Sequence, residues 1–294
     1  MAQSVRIKAA AKVNLHLRVY NRRPDGFHGI LSVFQAVSLS DFIVMRSLKE
    51  SDVLSIEGDF DCPIRATTVY KAVEAYRGAT GIRTGLHISV DKRIPPASGL
   101  GGGSSDAAST LVGMERLLGG GLGLATLEGL ASSIGSDVPF FLGPAAAIVR
   151  GRGEIVEPLD AREDFELVLA YPGFPVSTSE AYGLLDLIRP DGSEEADPGA
   201  ESLISAYHGE IARWPFANSF EAIVAQSRPE IRAVKRCLVD AGAVFASMSG
   251  SGSTVFGVFE KGAKIEGALR LLEDSGFRAL AASPLARCRI LDIE

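Results

Sequence analysis

The sequence contains few residues that form disulfides or bind metals. Its three cysteines, Cys62, Cys237 and Cys288, are odd in number and widely spaced among 294 residues. That pattern excludes a disulfide framework and a zinc-binding cysteine cluster, and it favours a reducing, cytoplasmic environment. The four histidines form no H-x-x-x-H pair, so no histidine metal site is predicted. The first ten residues lack the apolar core of a signal peptide, which fits the same expectation.

Excess positive charge and long apolar runs are also missing. Lysine and arginine number 30 against 36 aspartates and glutamates, which gives a formal net charge of −6. Such a chain is a poor candidate for nucleic-acid binding, and no apolar run reaches membrane-spanning length. We therefore expect a small-molecule substrate. The residues that could supply basic walls for a phosphorylated one are Lys12, Arg22, Arg23, Lys92 and Arg93.

The common nucleotide-binding motifs are absent. No Gly-Lys-Ser or Gly-Lys-Thr occurs, which excludes a Walker A loop, and the H-R-D and D-F-G elements of protein kinases are missing. Gly99-x-Gly101 is followed by Gly-Gly-Ser, which breaks the Rossmann G-x-G-x-x-G pattern.

A different glycine-rich run is present at residues 95–109, PPASGLGGGSSDAAS. A strand at 86–90 precedes it, and a helix with apolar residues at helical spacing follows it, so both ends are fixed and a flexible linker is disfavoured. Glycines allow close approach of the backbone to a ligand, and a helix N-terminus attracts anions. The run therefore predicts a phosphate site. Ser104 or Ser105 is expected to cap the helix, with Asp106 in its first turn.

The remaining pattern predicts an α+β fold, without the regular alternation of a doubly wound sheet. Residues 12–19 alternate as a strand, with Lys12, Asn14 and His16 on one face. Further strands are expected at 30–37, 41–45 and 165–171, and a closing strand at 288–293. A charged stretch near 157–164 divides the chain into domains 1–160 and 161–294.

Local signals predict several details of the helices and loops. Thr126 is expected to cap a helix that Gly135 ends. Val138 precedes a proline, which disfavours the α region, so residues 136–141 should turn into extended chain. A helix is expected from Pro229 to residue 241. Residues 189–201 are acidic and contain Pro and Gly, which predicts an exposed loop.

Residues 95–109 resemble the ATP-binding motif of the GHMP kinases, named for galactokinase, homoserine, mevalonate and phosphomevalonate kinases. Residues 11–15, AKVNL, and 248–254, MSGSGST, resemble the remaining motifs of the family in the same order. The resemblance covers nearly the whole chain. It implies a two-domain GHMP kinase fold, with ATP, Mg²⁺ and substrate bound in the cleft between the domains.

Residues 24–28, PDGFH, resemble the loop of one branch of this family, whose substrate is diphosphocytidyl-methylerythritol in the non-mevalonate isoprenoid pathway. Residues 135–139, GSDVP, and 218–221, NSFE, are similar to the same branch. Phe27 stands where the family usually has tyrosine, so a stacking face is kept and a hydroxyl contact is lost. The alternatives are another GHMP kinase, acting on homoserine, mevalonate or a sugar, and a non-catalytic nucleotide-binding regulator. A monomer and a homodimer are both compatible with the sequence.

The resemblance implies catalytic roles for two residues. Asp137 is the candidate general base, although by spacing alone a turn aspartate is an equal interpretation. Lys12 is its candidate partner, because a nearby cation favours an ionised carboxylate and stabilises a transferred phosphoryl group. Asn14 would contact the substrate or position Lys12.

The binding residues follow from the same motifs. Those expected to bind ATP are Pro96, Ala97, Ser98, Gly99, Leu100, Gly101, Gly102, Gly103, Ser104 and Ser105. The serine hydroxyls would contact phosphate, reach Mg²⁺ or only cap the helix, and Asp106 would serve the metal or the helix dipole. Phe27 and Tyr182 are the candidate stacking faces for cytosine and His28 its polar reader; ordinary packing is the alternative for all three. Gly250 and Gly252 are expected to form a turn over the substrate phosphates.

Overall fold

The computed structural model describes residues 4–189 and 198–287 and contains two β-sheets with helices packed against them. The chain begins with two long antiparallel strands, β1 (Ser4–Arg22) and β2 (His28–Ser51). Two separate strands were expected within β2, but the structure has one continuous strand. Residues 190–197 of the predicted loop 189–201 and the whole predicted strand 288–293 lie outside the described residues.

The first sheet has six strands and is built around β2. β1 pairs with β2 along its length, whereas the other edge of β2 pairs with one strand over each half. The remaining elements of residues 4–158 are β3 (Leu54–Gly58), α1 (Thr68–Thr80), β4 (Thr84–Asp91), α2 (Gly102–Leu118), α3 (Leu124–Ile134), β5 (Ala146–Gly151) and β6 (Ile155–Pro158).

A β-bulge in β1 changes which side chains share a face. Asn14 pairs with Phe34 but His16 pairs with Val33, so one extra residue, Leu15, is inserted on β1. Because successive strand residues point to opposite faces, this insertion reverses the alternation beyond it. The expectation that His16 shares the face of Lys12 and Asn14 is therefore wrong.

The second sheet has the order β10-β7-β9-β8. Its strands and the neighbouring helices are β7 (Phe165–Tyr171), α4 (Thr178–Ile188), α5 (Ala200–His208), α6 (Glu221–Ser227), α7 (Glu230–Asp240), β8 (Phe245–Met248), β9 (Val255–Glu260), α8 (Glu266–Asp274) and β10 (Arg278–Ala282). None of the helices within the described residues is long and apolar enough to span a membrane.

The two sheets share apolar cores. Val13 and Leu15 of β1 are fully buried in one cluster with Phe165 and Tyr207 from the second half of the chain. A bridge between Leu17 and Asn218 joins the halves again. Every strand of the first sheet precedes residue 160 and every described strand of the second follows it. The division into domains at that position stays a prediction.

The local predictions have mixed outcomes. The helix after Pro229 is confirmed, with Pro229 at its N-cap, and Gly135 is the C-cap of α3 as predicted. The N-cap of α3 is Gly123 and not Thr126. Val138 has α-helical angles and begins a 3₁₀ turn, Pro139–Leu142, so the predicted extended chain is wrong. Burial of Phe140 and Phe141 in the core stabilises the turn against the local steric preference.

Candidate functional site

A cleft of about 650 Å³ lies beside the glycine-rich loop. Its walls come from β1, the loop before α2, the turn before Pro139, and the loop between β8 and β9. The cleft therefore draws on residues from both halves of the chain. Its lining combines glycines, which expose backbone groups, with charged side chains, which is typical of a site for a small charged ligand.

The glycine-rich loop forms the start of α2 on the cleft wall. Gly99 and Gly101 have φ values of 80° and 71°, a region that glycine adopts without strain. A Cβ atom on Gly101 would lie 3.0 Å from the Phe141 ring and 3.1 Å from Lys12. The first backbone bond of the helix runs from Ser105 N to Gly101 O. The amides before Ser105 are thus outside the helical ladder, which makes this end an anion-binding site.

Most of the predicted ATP-binding residues lie on this wall. Those that line the cleft are Pro96, Ala97, Ser98, Gly99, Gly101, Gly102, Gly103 and Ser104. Leu100 and Ser105 are buried and do not line the cleft. The helix is capped by Gly101, so the predicted capping by Ser104 or Ser105 is wrong.

The second glycine turn packs directly on the first. A Cβ atom on Gly99 would lie 1.9 Å from Ser249 O, and Ser249 Oγ donates a 2.9 Å hydrogen bond to Gly99 O. Gly250 lines the cleft with a φ of 57°, whereas Gly252 lies outside the lining and packs against Met248. The two loops therefore form one joined surface at the predicted phosphate site.

Lys12 and Asp137 face each other in the cleft. Lys12 Nζ lies 3.5 Å from Asp137 Oδ2, donates to Asn14 Oδ1 and donates a 3.1 Å bond to Gly99 O. The Lys12 side chain is 4% exposed and that of Asp137 32% exposed. Burial lowers the pKa of Lys12, and the charge and hydrogen bond of Asp137 oppose that shift. The Asp137 carboxylate thus favours the charged form of the ammonium.

Asn14 is a buried support for Lys12. Its amide nitrogen donates a 3.0 Å bond to Ser32 Oγ, and its backbone N–H donates a 3.1 Å bond to Ser249 Oγ. The side chain is held from both ends, with Oδ1 aimed at Lys12. Of the two expected roles, this geometry favours positioning Lys12 over contacting a substrate.

The candidate cytosine-binding residues are only partly brought together. His28 stacks on Tyr182 with ring centroids 4.9 Å apart, and Tyr182 lines the cleft. His28 Nδ1 donates a 2.8 Å bond to Tyr20 O, and Nε2 lies 3.2 Å from Asp186. Phe27 is 53% exposed and lies outside the lining. The pairing of Phe27 and Tyr182 as two stacking faces stays a prediction.

Sequence reasoning missed a buried charge cluster beside the cleft. Lys92 donates to Asp41 and donates a 2.6 Å bond to Asp106, and both carboxylates are 98% or more buried. Asp106 lies beyond the first turn of α2, so its expected helix-dipole role is wrong, whereas its expected metal role stays a prediction. Burial, and then the charge of Asp41, raise the pKa of Asp106 to about 7 against the pull of Lys92. Only residues distant in sequence form this cluster, so no motif reveals it.

The cluster predicts an unusual pH dependence of stability. The folded pKa of Asp106 lies above its ordinary value of 3.8, so the native state keeps a proton that the unfolded chain releases. Stability is then lost as pH rises through about 7. Between about pH 5.5 and pH 8, the free energy of unfolding of the wild type should fall. We expect this fall to be smaller by about 2 kcal/mol in Asp106→Asn. Denaturant unfolding at both pH values measures it.

The matched control is Asp91→Asn, because Asp91 is exposed and paired with Arg93 on the surface. Its stability should follow the wild-type pH dependence. The same slope for Asp106→Asn and the wild type would contradict the assignment of the retained proton to Asp106.

Comparison with known proteins identifies the family. The family model "GHMP kinases N terminal domain" matches residues 67–143, and "GHMP kinases C terminal" matches residues 203–276. A 4-diphosphocytidyl-2-C-methyl-D-erythritol kinase of Thermodesulfovibrio yellowstonii is 38% identical over 90% of this chain and 93% of its own. The chain belongs to the GHMP kinase family.

Solved structures agree with the assignment of the chain to the GHMP kinase family. A crystal structure of 4-(cytidine 5'-diphospho)-2C-methyl-D-erythritol kinase superposes with a TM-score of 0.80 at 34% identity, covering 97% of this chain and 99% of its own. A homoserine kinase from Cytophaga hutchinsonii has a TM-score of 0.75 at 20% identity, covering 99% and 96%. The second likeness concerns the fold alone. The predicted α+β GHMP kinase fold is confirmed.

The cleft fits ATP better than it fits a protein-held metal. The glycines that a Cβ would obstruct and the start of α2 suit a polyphosphate. Among residues 4–189 and 198–287, no group of three histidine, cysteine or acidic side chains could hold a metal ion. Mg²⁺ binds readily to phosphate oxygens, so a nucleotide in the cleft would bring ligands for it.

Proposed function

We propose that this GHMP kinase transfers the γ-phosphoryl group of ATP to the 2-hydroxyl of 4-diphosphocytidyl-2-C-methyl-D-erythritol. The reaction belongs to the non-mevalonate route to isoprenoid precursors. The observation that carries the proposal is identity of 38% over nine-tenths of the chain with a kinase of that name. The Lys12–Asp137 pair beside the glycine-rich loop supports it.

Asp137 acts as the general base in this proposal. The substrate hydroxyl oxygen forms a bond to the γ-phosphorus, the bond between that phosphorus and the bridging oxygen breaks, and ADP leaves. Asp137 takes the hydroxyl proton. Its carboxylate is partly exposed in the cleft and is fixed beside Pro139 by the buried 3₁₀ turn.

Lys12 supplies positive charge next to that carboxylate. Its ammonium reaches Gly99 O at the glycine-rich loop as well as Asp137, so it spans the distance between the predicted phosphate site and the base. A fixed cation at this position stabilises charge on a transferring phosphoryl group at no cost of reorganisation. Asn14 holds the ammonium in place.

The cleft-facing residues of 96–104 bind the ATP phosphates through backbone amides and the N-terminus of α2. Mg²⁺ enters with ATP, held mainly by phosphate oxygens, and neutralises phosphate charge. His28 and Tyr182 form the polar and stacking parts of the cytidine site, with Phe27 from the neighbouring loop. The scattered cysteines favour a cytoplasmic enzyme.

A coupled assay of ADP release tests the proposal. The purified protein should release ADP with MgATP and 4-diphosphocytidyl-2-C-methyl-D-erythritol, and mass spectrometry should find the phosphate on the 2-position of the polyol. Turnover of homoserine or mevalonate in place of this substrate would overturn the proposal. ATP binding without turnover of any of them would favour the regulator instead.

A further inference from the structure

Arg152 lies on the cleft wall immediately after β5. Its guanidinium carbon is 4.8 Å from the centre of the Phe27 ring, and both residues are exposed. A guanidinium over the face of an aromatic ring is attracted to the ring while its N–H donors stay available. Phe27 thus supports Arg152 at the mouth of the cleft.

Among the described residues that line the cleft, Arg152 is the basic residue without a paired carboxylate. The basic residues of the lining are Lys12, Lys92 and Arg152. Lys12 faces Asp137, and Lys92 is bound to two buried carboxylates. Within residues 4–189 and 198–287, no carboxylate pairs with the Arg152 side chain. An anionic ligand in this part of the cleft therefore has one available guanidinium to bind.

The chain places Arg152 between the base and the cytidine site. On one side, a Cβ atom on Gly153 would lie 3.3 Å from Asp137 Oδ1. On the other, Gly151 pairs with Ile30, two residues from His28, which stacks on Tyr182. Arg152 therefore lies between Asp137, which is beside the next residue, and Phe27, which precedes His28; His28 itself is buried outside the lining.

We infer that Arg152 binds the diphosphate bridge of the phosphate-accepting substrate, supported by the Phe27 ring. The inference rests on the proposed function. In the diphosphocytidyl substrate the diphosphate joins the polyol to the cytidine, and Arg152 likewise lies between Asp137 and Phe27. The guanidinium matches phosphate oxygens with two parallel hydrogen bonds. Discrimination of a cytidine diphosphate from a cytidine then depends on this residue.

Calorimetric binding of cytidine diphosphate and of cytidine tests the inference. Arg152→Ala is expected to weaken binding of cytidine diphosphate by about 10- to 100-fold, because a charge-assisted contact is lost. Binding of cytidine should be unchanged. Arg152→Lys, which keeps the charge without the paired donors, should lie between the wild type and Arg152→Ala. In turnover, KM for the accepting substrate should rise with KM for ATP unchanged.

The matched control is Arg150→Ala, because Arg150 lies two residues earlier on β5, pairs with Glu157 and does not line the cleft. Equal weakening of cytidine diphosphate and cytidine by Arg152→Ala would overturn the inference, as would a rise in KM for ATP alone, which would assign Arg152 to the nucleotide donor. Normal wild-type turnover with an unaffected Arg152→Ala would overturn the inference and leave the proposed function standing. A wild type without turnover on this substrate would refute the proposed function itself.

Discussion

Replacing Asp137 by asparagine is expected to lower kcat by about 10²- to 10⁴-fold, the usual contribution of a general base. Asparagine has the same shape and cannot take the hydroxyl proton. The substitution also affects Lys12. Burial lowers the pKa of this lysine, and the Asp137 carboxylate that opposes this shift is removed. ATP should still bind, because the glycine-rich loop and the start of α2 are unchanged.

Steady-state kinetics and a separate ATP-binding titration distinguish these effects. Glu210→Gln is a suitable control, because Glu210 is exposed and pairs only with Arg213 at the surface among the described residues. A kcat for Asp137→Asn equal to that of the control would exclude Asp137 as the base. Loss of ATP binding would instead point to a damaged cleft.

Replacing Lys12 by methionine should lower kcat by about 10²- to 10³-fold, because a fixed cation next to the transferring phosphoryl group is removed. The fold should survive. Methionine fills the same space against the Phe34 ring, which lies 4.7 Å from the ammonium. Gly99 O keeps its bond from Ser249, whereas Asn14 Oδ1 and the Asp137 carboxylate lose the ammonium.

The pH profile of kcat makes the Lys12 prediction more specific. Burial lowers the pKa of Lys12, so wild-type activity should fall on the alkaline side as the ammonium loses its proton, and Asp137→Asn should move that fall to lower pH. The control is Lys8→Met, which changes an exposed residue of the same strand. Equal kcat values for Lys8→Met and Lys12→Met would refute the catalytic role of Lys12.

The double variant of Lys12 and Asp137 gives a further check. Because the two residues act as a unit, its kcat should be little lower than that of either single variant.

The parts of the site that were predictable from sequence are those carried by short segments. Four glycines before an alanine-rich helix indicate a phosphate site without knowledge of the fold, because glycine conformations and helix ends are local properties. The predicted capping of α2 by Ser104 or Ser105 was wrong, although capping is also a local property. Gly101 adopts the left-handed region and starts the helix itself, which moves both serines inside it.

Features that depend on tertiary packing were not predictable. A one-residue insertion at Leu15 has no signature in an alternating strand, yet it separates His16 from Lys12. Val138 does not adopt the extended conformation that is preferred before proline, because the burial of Phe140 and Phe141 outweighs this steric preference. The Asp41–Lys92–Asp106 cluster and the stacking of Arg152 on Phe27 join residues at least 14 positions apart with no common motif. Such contacts follow from the topology and not from the pattern.

The packing of Gly99 on Ser249 has a consequence for how the enzyme is made. Synthesis proceeds from the N-terminus, so Lys12, Asn14 and the glycine-rich loop exist well before residue 249 leaves the ribosome. Until then, the backbone N–H of Asn14 and the oxygen of Gly99 lack the hydroxyl that joins them. ATP can therefore meet the joined surface of the two loops only once more than four-fifths of the chain has been translated.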